Sequence, residues 1–299
     1  MRSLAALAVV LAVTAGCGAA GSTKAAPVRS SPSPSATAIV AGRGQAAARI
    51  HASPGCPTVA AGFDCDFQRR IGVVQAYVRG RPGTVGVILR DRRTGAVWRS
   101  EHAGREVWTA STIKLAMVVD LLVRERAGAV TLTTADQANI HAMLHTSDDT
   151  AADAVWRAHG RAAFNNRFPA YGVTGAHFVA GFDRYWGFMK CTPADLDRLI
   201  VYVLTRLPSD LRAHLLAEMR GVAPNQRWGV WGAGPATRPG NKNGWSQEQG
   251  GWVINSVGFA GAGERYTLTL MNSLDGKGGY DAGVATVTRA SVLLLAGRP

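Results

Sequence analysis

The segment Thr109-Ala110-Ser111-Thr112-Ile113-Lys114-Leu115-Ala116-Met117-Val118 opens a helical pattern that runs to Arg126 and closes before Gly128. A Thr/Ser cap is expected at its start. The spacing from Ser111 to Lys114 is i, i+3, so a helix would put hydroxyl and amine on one face. A serine hydroxyl is a weak nucleophile until a base takes its proton. A lysine amine serves as that base only where burial or a nearby cation lowers its pKa. The apolar residues Leu115 to Val118 predict such burial. A helix N-terminus also favours negative charge developing near Ser111. SxxK is common by chance, and alone it reads as a capping serine with a surface lysine.

Outward from this segment lie two further signals. Ser147-Asp148-Asp149 precedes Thr150-Ala151-Ala152-Asp153, which alone is a helix N-cap with an acidic first turn. Lys242-Asn243-Gly244-Trp245 stands ahead of a strong strand pair, and alone it is a turn. Helical periodicity covers 64–79, 133–145, 150–159, 193–207, 209–220 and 281–296. Strand signals cover 84–91, pairing back through 96–99, and later 252–259 and 265–272. Strands at both ends with helices between predict an α/β (α+β) domain. Its antiparallel sheet is built from N- and C-terminal strands, flanked by helices, with an inserted all-helical lobe. The helices are too polar and too short for a polytopic membrane protein.

Together the three signals resemble the serine β-lactamase and penicillin-binding protein superfamily: SxxK on a helix, SDN between helices, and K-T/S-G on an edge strand. The sequence is most similar to the short, secreted class A β-lactamase-related serine hydrolases of high-GC bacteria. The resemblance covers about residues 64–299. It includes Tyr185-Trp186-Gly187, Cys191-Thr192-Pro193-Ala194-Asp195-Leu196, Asn243-Gly244-Trp245 and Gly251-Trp252-Val253-Ile254-Asn255-Ser256-Val257-Gly258.

That resemblance implies a β-lactamase/transpeptidase-like fold and a set of roles. Ser111 is the acyl-accepting nucleophile and Lys114 its general base. Ser147 relays a proton to the leaving group, and Lys242 supplies positive charge beside it. The backbone N–H groups of Ser111 and Trp245 form the oxyanion hole. Asp149, Asn243, Gly244 and Trp245 are the substrate-binding positions.

The chain departs from the pattern at several places. Class A β-lactamases release the acyl-enzyme with a glutamate after the second motif. The glutamates here are Glu101, Glu106, Glu125, Glu218, Glu248 and Glu264, and none lies between Ser147 and Thr192. Asp183 is the carboxylate in the later part of that interval. Weak or no β-lactamase turnover is therefore expected. Asp149 replaces asparagine and cannot donate to an amide carbonyl, though it can pair with Lys114 or a cationic substrate. Asn243 replaces a hydroxyl residue, and Trp245 is expected to put a large ring at the mouth of the site. The 36 positions from Ser111 to Ser147 are fewer than in class A enzymes, which implies a trimmed lobe. Trp228, Trp231, Trp245 and Trp252 read either as core packing or as a platform for glycan or peptide. Arg227 and Arg238 are weaker candidates for carboxylate contacts.

The N-terminus carries an address. Arg2, the apolar run Leu4 to Val13 and Thr14-Ala15-Gly16-Cys17 fit a signal peptide over 1–17 with a lipobox-like end. Cys17 would be lipidated; an ordinary cleaved signal is the other reading. Residues 18–60 form an Ala/Ser/Pro-rich tether, and 61–299 the hydrolase domain. Cys56 and Cys65 flank a short segment and suit a local disulfide after export; Cys191 is left as a buried thiol. His141 and His145 read as ordinary helix residues. No metal or cofactor is expected.

The chain has 299 residues, 47% of them hydrophobic, and a formal net charge of +13. That suffices for a sizeable core and disfavours wholesale disorder. Lysines number only five, so arginine carries the charge, and no dense basic run marks nucleic-acid binding. The expectation is an exported, monomeric serine acyl hydrolase anchored by lipid outside the cytoplasmic membrane. Its substrate would be a small-molecule or peptide amide or ester, β-lactam-like or a cell-wall peptide. The alternative is a non-catalytic envelope binding lipoprotein that keeps the fold.

Overall fold

Phe67, Ile71 and Val74 recur at helical spacing and are buried along one face of α1, Cys65–Arg79. Asp64 caps this helix by accepting from the Phe67 N–H at 2.9 Å. The computed structural model describes residues 55–298. The expected signal peptide, Cys17 and most of the tether lie outside them. Cys56 and Cys65 are disulfide-bonded. Val59 and Ala60 donate their N–H groups to Gln68 Oε1 at 2.7 Å each, so the end of the expected tether is held against α1.

The main sheet is antiparallel throughout. It contains β1 (Thr84–Asp91), β2 (Val97–Arg99), β6 (Gly240–Glu248), β7 (Gly251–Ala260) and β8 (Tyr266–Ser273), in the order β2-β1-β8-β7-β6. N- and C-terminal strands interleave because β1 pairs β8, with Val87 opposite Leu270. The period-two alternation divides the sheet's side chains between two cores. Ile254, Leu268 and Leu270 pack towards α1 and the C-terminal helix α8, Tyr280–Leu295. Val253, Val257, Phe259 and Met271 pack towards the inserted lobe.

That lobe is built around α2, Ile113–Arg126, whose residues from Ile113 to Leu122 are all buried. Its buried carboxylate, Asp120, is satisfied by Arg167 at 2.8 and 2.9 Å and by the Tyr171 hydroxyl at 3.0 Å. Around α2 stand α3 (Thr134–His145), α4 (Asp149–His159), α5 (Ala163–Arg167), α6 (Pro193–Thr205) and α7 (Ser209–Arg220). A short second sheet joins them: β3 (Val107–Trp108), β4 (His177–Phe178) and β5 (Met189–Cys191), ordered β3-β5-β4. No described helix is long and apolar enough to cross a membrane.

Two local readings change. The helix expected from Thr109 begins as a 3-10 turn over Ala110–Thr112, and no side chain caps it. Thr112 instead donates its hydroxyl to the Thr109 carbonyl. Lys242 to Trp245, a turn by composition and an edge strand by resemblance, lies within β6 at the sheet edge. Cys191 is buried, and desolvation pushes its thiol well above the usual pKa. His141 and His145 stack at 5.0 Å on α3; their Nδ1 atoms meet Glu218 and the Gly221 carbonyl.

Candidate active site

The turn carrying Ser111 is pinned from both sides. The Thr109 N–H donates to the Met189 carbonyl of β5 at 2.9 Å. The Asn255 amide, buried in β7, donates to the carbonyls of Trp108 at 2.8 Å and Thr109 at 3.3 Å. Ala110, just before Ser111, has φ +45°, a conformation that costs a non-glycine residue about 1–2 kcal/mol. Ser111 is 8% exposed, and its hydroxyl has no hydrogen-bond partner among the described residues. Gly244 lies directly against it. A Cβ added there would sit 2.6 Å from the Thr112 nitrogen and 2.9 Å from the Ser111 nitrogen. Only glycine lets the β6 backbone approach this closely, and Trp245 follows it along the edge strand.

Ser147 joins both lysines. Its hydroxyl accepts from Lys242 Nζ at 2.8 Å, and its carbonyl accepts from Lys114 Nζ at 2.8 Å. It does so with φ +65°, the second strained non-glycine residue in the site. Lys242 also donates to the Asn243 carbonyl at 2.6 Å. Burial holds the Lys242 amine well below the usual lysine pKa, and the neighbouring Lys114 charge lowers it further.

Lys114 is fully buried, while its partner Asp149 keeps 75% of its side chain exposed. Its amine donates to Asp149 Oδ1 at 2.5 Å, to the Ser147 carbonyl and to the Asp148 carbonyl at 3.2 Å. It also lies 4.6 Å from the ring centre of Trp186. Burial lowers the Lys114 pKa, Asp149 opposes this, and the net shift is downward. The base expected for Ser111 thus has three acceptors, and Ser111 is not among them.

The remaining expected residues divide. Asn243 is buried, and its amide donates to the Gln226 carbonyl at 2.8 Å; it anchors β6 rather than facing a substrate. The ring of Trp245 is not at the mouth. The alternation that turns Lys242 and Gly244 to the site turns Asn243 and Trp245 to the opposite face. There Trp245 packs edge-on against Trp228 and Tyr280, each at 6.0 Å, and Trp252 meets Tyr280 at 5.7 Å. Those tryptophans are core packing. Arg227 stacks over Trp231, and the Arg238 carbonyl accepts from Arg220. Asp183 is exposed.

Three further residues packed around the candidate site were given no role from the sequence. Trp186 covers Lys114, and its turn packs against the Ser111 turn. Asp153 Oδ1 accepts from Trp186 Nε1 at 2.9 Å and from the Tyr185 hydroxyl. Asn255 positions the Ser111 turn. The available signals were the four-residue spacing of Asp149 and Asp153, and a polar residue in the middle of an apolar strand.

No protein-family model matches the chain. "Putative lipoprotein LppW" of Mycobacterium tuberculosis, like its Mycobacterium bovis counterpart, is 30% identical over 198 residues. The match covers 62% of this chain and 62% of that relative. Among solved structures, a β-lactamase from Xanthomonas campestris superposes with TM-score 0.64 at 19% identity, over 77% of this chain and 97% of that one. PBP-A gives 0.64 at 20% identity, over 76% and 94%. A β-lactamase from Streptosporangium roseum gives 0.63 at 17% identity, over 76% and 97%. An antiparallel sheet of interleaved terminal strands, an inserted helical lobe and these superpositions agree: the chain has the class A β-lactamase fold.

Proposed function

We propose that the chain is an exported serine acyl hydrolase that forms an acyl-enzyme on Ser111. The observation that carries this reading is Ser147, which links Lys114 and Lys242 beside the nucleophile's turn. Ser111 Oγ attacks the carbonyl of an amide or ester, and its proton passes to the neutral Lys114 amine. The oxyanion is held by the N–H groups of Ser111 and Trp245. The leaving group takes its proton through Ser147, whose hydroxyl is oriented by Lys242. Water then releases the acyl group. No glutamate lies between Ser147 and Thr192, so β-lactam turnover is weak or nil. The lipobox-like Cys17, the disulfide and the lipoprotein name of the mycobacterial relative support a lipid-anchored envelope location.

One observation favours a second reading, a binding lipoprotein that has kept the fold. The Lys114 amine is taken up by three acceptors, and Ser111 is not among them. Intact-protein mass spectrometry with a fluorescent penicillin and a fluorophosphonate, alongside Ser111→Ala, separates the two. A stoichiometric adduct on Ser111 supports the hydrolase. A folded chain that neither probe labels supports the binding protein.

A further inference from the structure

One face of α4 leads away from the site. Asp149, Asp153 and Arg157 are spaced i, i+4, i+8 and so form one row. Asp149 meets Lys114, Asp153 holds Tyr185 and Trp186, and Arg157 reaches Asp153 at 3.6 Å. At 1.5 Å per residue, Arg157 lies about 12 Å from Asp149 along the helix axis.

A cleft of about 430 Å³ opens at the far end of this row, lined by Trp156, Arg157, Arg161, Ala162, Arg184 and Tyr185. Trp156 and Tyr185 form aromatic walls, edge to face at 6.3 Å. Arg184 is steadied over the Phe178 ring at 5.2 Å. Neither Arg161 nor Arg184 has a carboxylate partner among the described residues, and Arg157 shares Asp153 with two other donors. Guanidinium groups converging on one cleft repel each other, and an oxyanion relieves that repulsion while accepting their forked donors.

We propose that this cleft is a subsite for the carboxylate-bearing end of an elongated acyl substrate whose reacting carbonyl sits at Ser111. The assignment rests on the acyl-enzyme reading. The separation of about 12 Å between Asp149, beside the site, and Arg157, at the cleft, corresponds to roughly three to four residues of extended peptide. A cationic group near the scissile bond would meet Asp149, and the anionic end would meet the arginines.

The test uses N-acetyl-tetra-alanine as the free acid and as its C-terminal carboxamide, titrated calorimetrically into the Ser111→Ala chain. The acid is expected to bind about tenfold tighter or better. The preference should collapse when Arg161→Gln and Arg184→Gln are added; both side chains are exposed, and circular dichroism checks the fold. Equal binding of acid and amide, or binding of neither at about 1 mM, overturns the subsite. Fluorophosphonate labelling of the unsubstituted chain reads Ser111 separately. A carboxylate preference without labelling overturns the acyl-enzyme reading and leaves the anion-binding cleft standing.

Discussion

The hydroxyl of Ser147 accepts a hydrogen bond from Lys242 Nζ at 2.8 Å, although the two residues are 95 positions apart. The inserted lobe and the sheet edge meet at this contact. Ser147→Ala removes the hydroxyl proposed to relay a proton to the leaving group and keeps the carbonyl that Lys114 uses. Ser111 labelling by the fluorescent penicillin, whose ring nitrogen needs a proton as it leaves, should slow by about 100-fold or more, in the range of general acid–base contributions. An unchanged labelling rate would remove Ser147 from the mechanism.

Asp149 favours the charged form of Lys114. Its hydrogen bond and charge raise the Lys114 pKa against the lowering by burial. Asp149→Asn should therefore lower that pKa further and speed labelling at neutral pH by roughly three- to tenfold, the modest gain expected with an exposed partner. Labelling should rise with pH as Lys114 loses its proton, and the rising limb should move to lower pH in the variant. Movement to higher pH would contradict the role given to Lys114.

Lys242 is a buried amine with a depressed pKa. Between that pKa and the ordinary value of 10.5, the unfolded chain binds more protons than the folded one, so this group makes stability rise with pH across the window. Below the window its full charging penalty opposes folding. Lys242→Met should abolish labelling and raise Tm by about 2–4 °C near neutral pH, since replacing a buried amine with an apolar side chain removes its desolvation cost and gains about 1 kcal/mol or more. A lower Tm in scanning calorimetry would show that the hydrogen bonds to Ser147 and Asn243 outweigh that cost.

Gly244 is where the sheet and the nucleophile touch. A methyl group there would come within 2.6 Å of the Thr112 nitrogen. Gly244→Ala should destabilise the chain by about 1–3 kcal/mol and suppress labelling. Retained labelling at an unchanged denaturation midpoint would mean that β6 lies farther from Ser111.

The Cys56–Cys65 bridge closes a short loop at the start of α1, over a sequence separation of 9. Chain-entropy arguments assign such a loop about 2–3 kcal/mol. Replacing both cysteines by serine should lower Tm by roughly 5–10 °C while leaving Ser111 labelling intact. Loss of labelling in the folded variant would connect the bridge to the site.

Most elements were legible where periodicity is strong. Phe67, Ile71 and Val74 mark α1, and the nearly continuous buried runs of β7 and β8 mark the sheet. β6 was not legible from composition, because glycine, lysine and asparagine are weak strand formers. It becomes a strand because β7 supplies a full antiparallel partner from Gly240 to Glu248. Once β6 is a strand, period two decides that Lys242 and Gly244 face the site and that Asn243 and Trp245 do not.

The residue types and their order determined the available chemistry: a serine and lysine one helical turn apart, a second serine, a second lysine, and no glutamate between Ser147 and Thr192. Spacing alone carries that information because neighbours on one helix or strand have fixed relative directions. Only the tertiary structure decided that Lys114 points to Asp149, that Trp186 covers it, and that Trp245 belongs to the core. Those contacts join residues far apart in the chain. Their distances are set by how α2, α4 and β6 pack together, and packing depends on shape and burial across the whole domain rather than on local sequence.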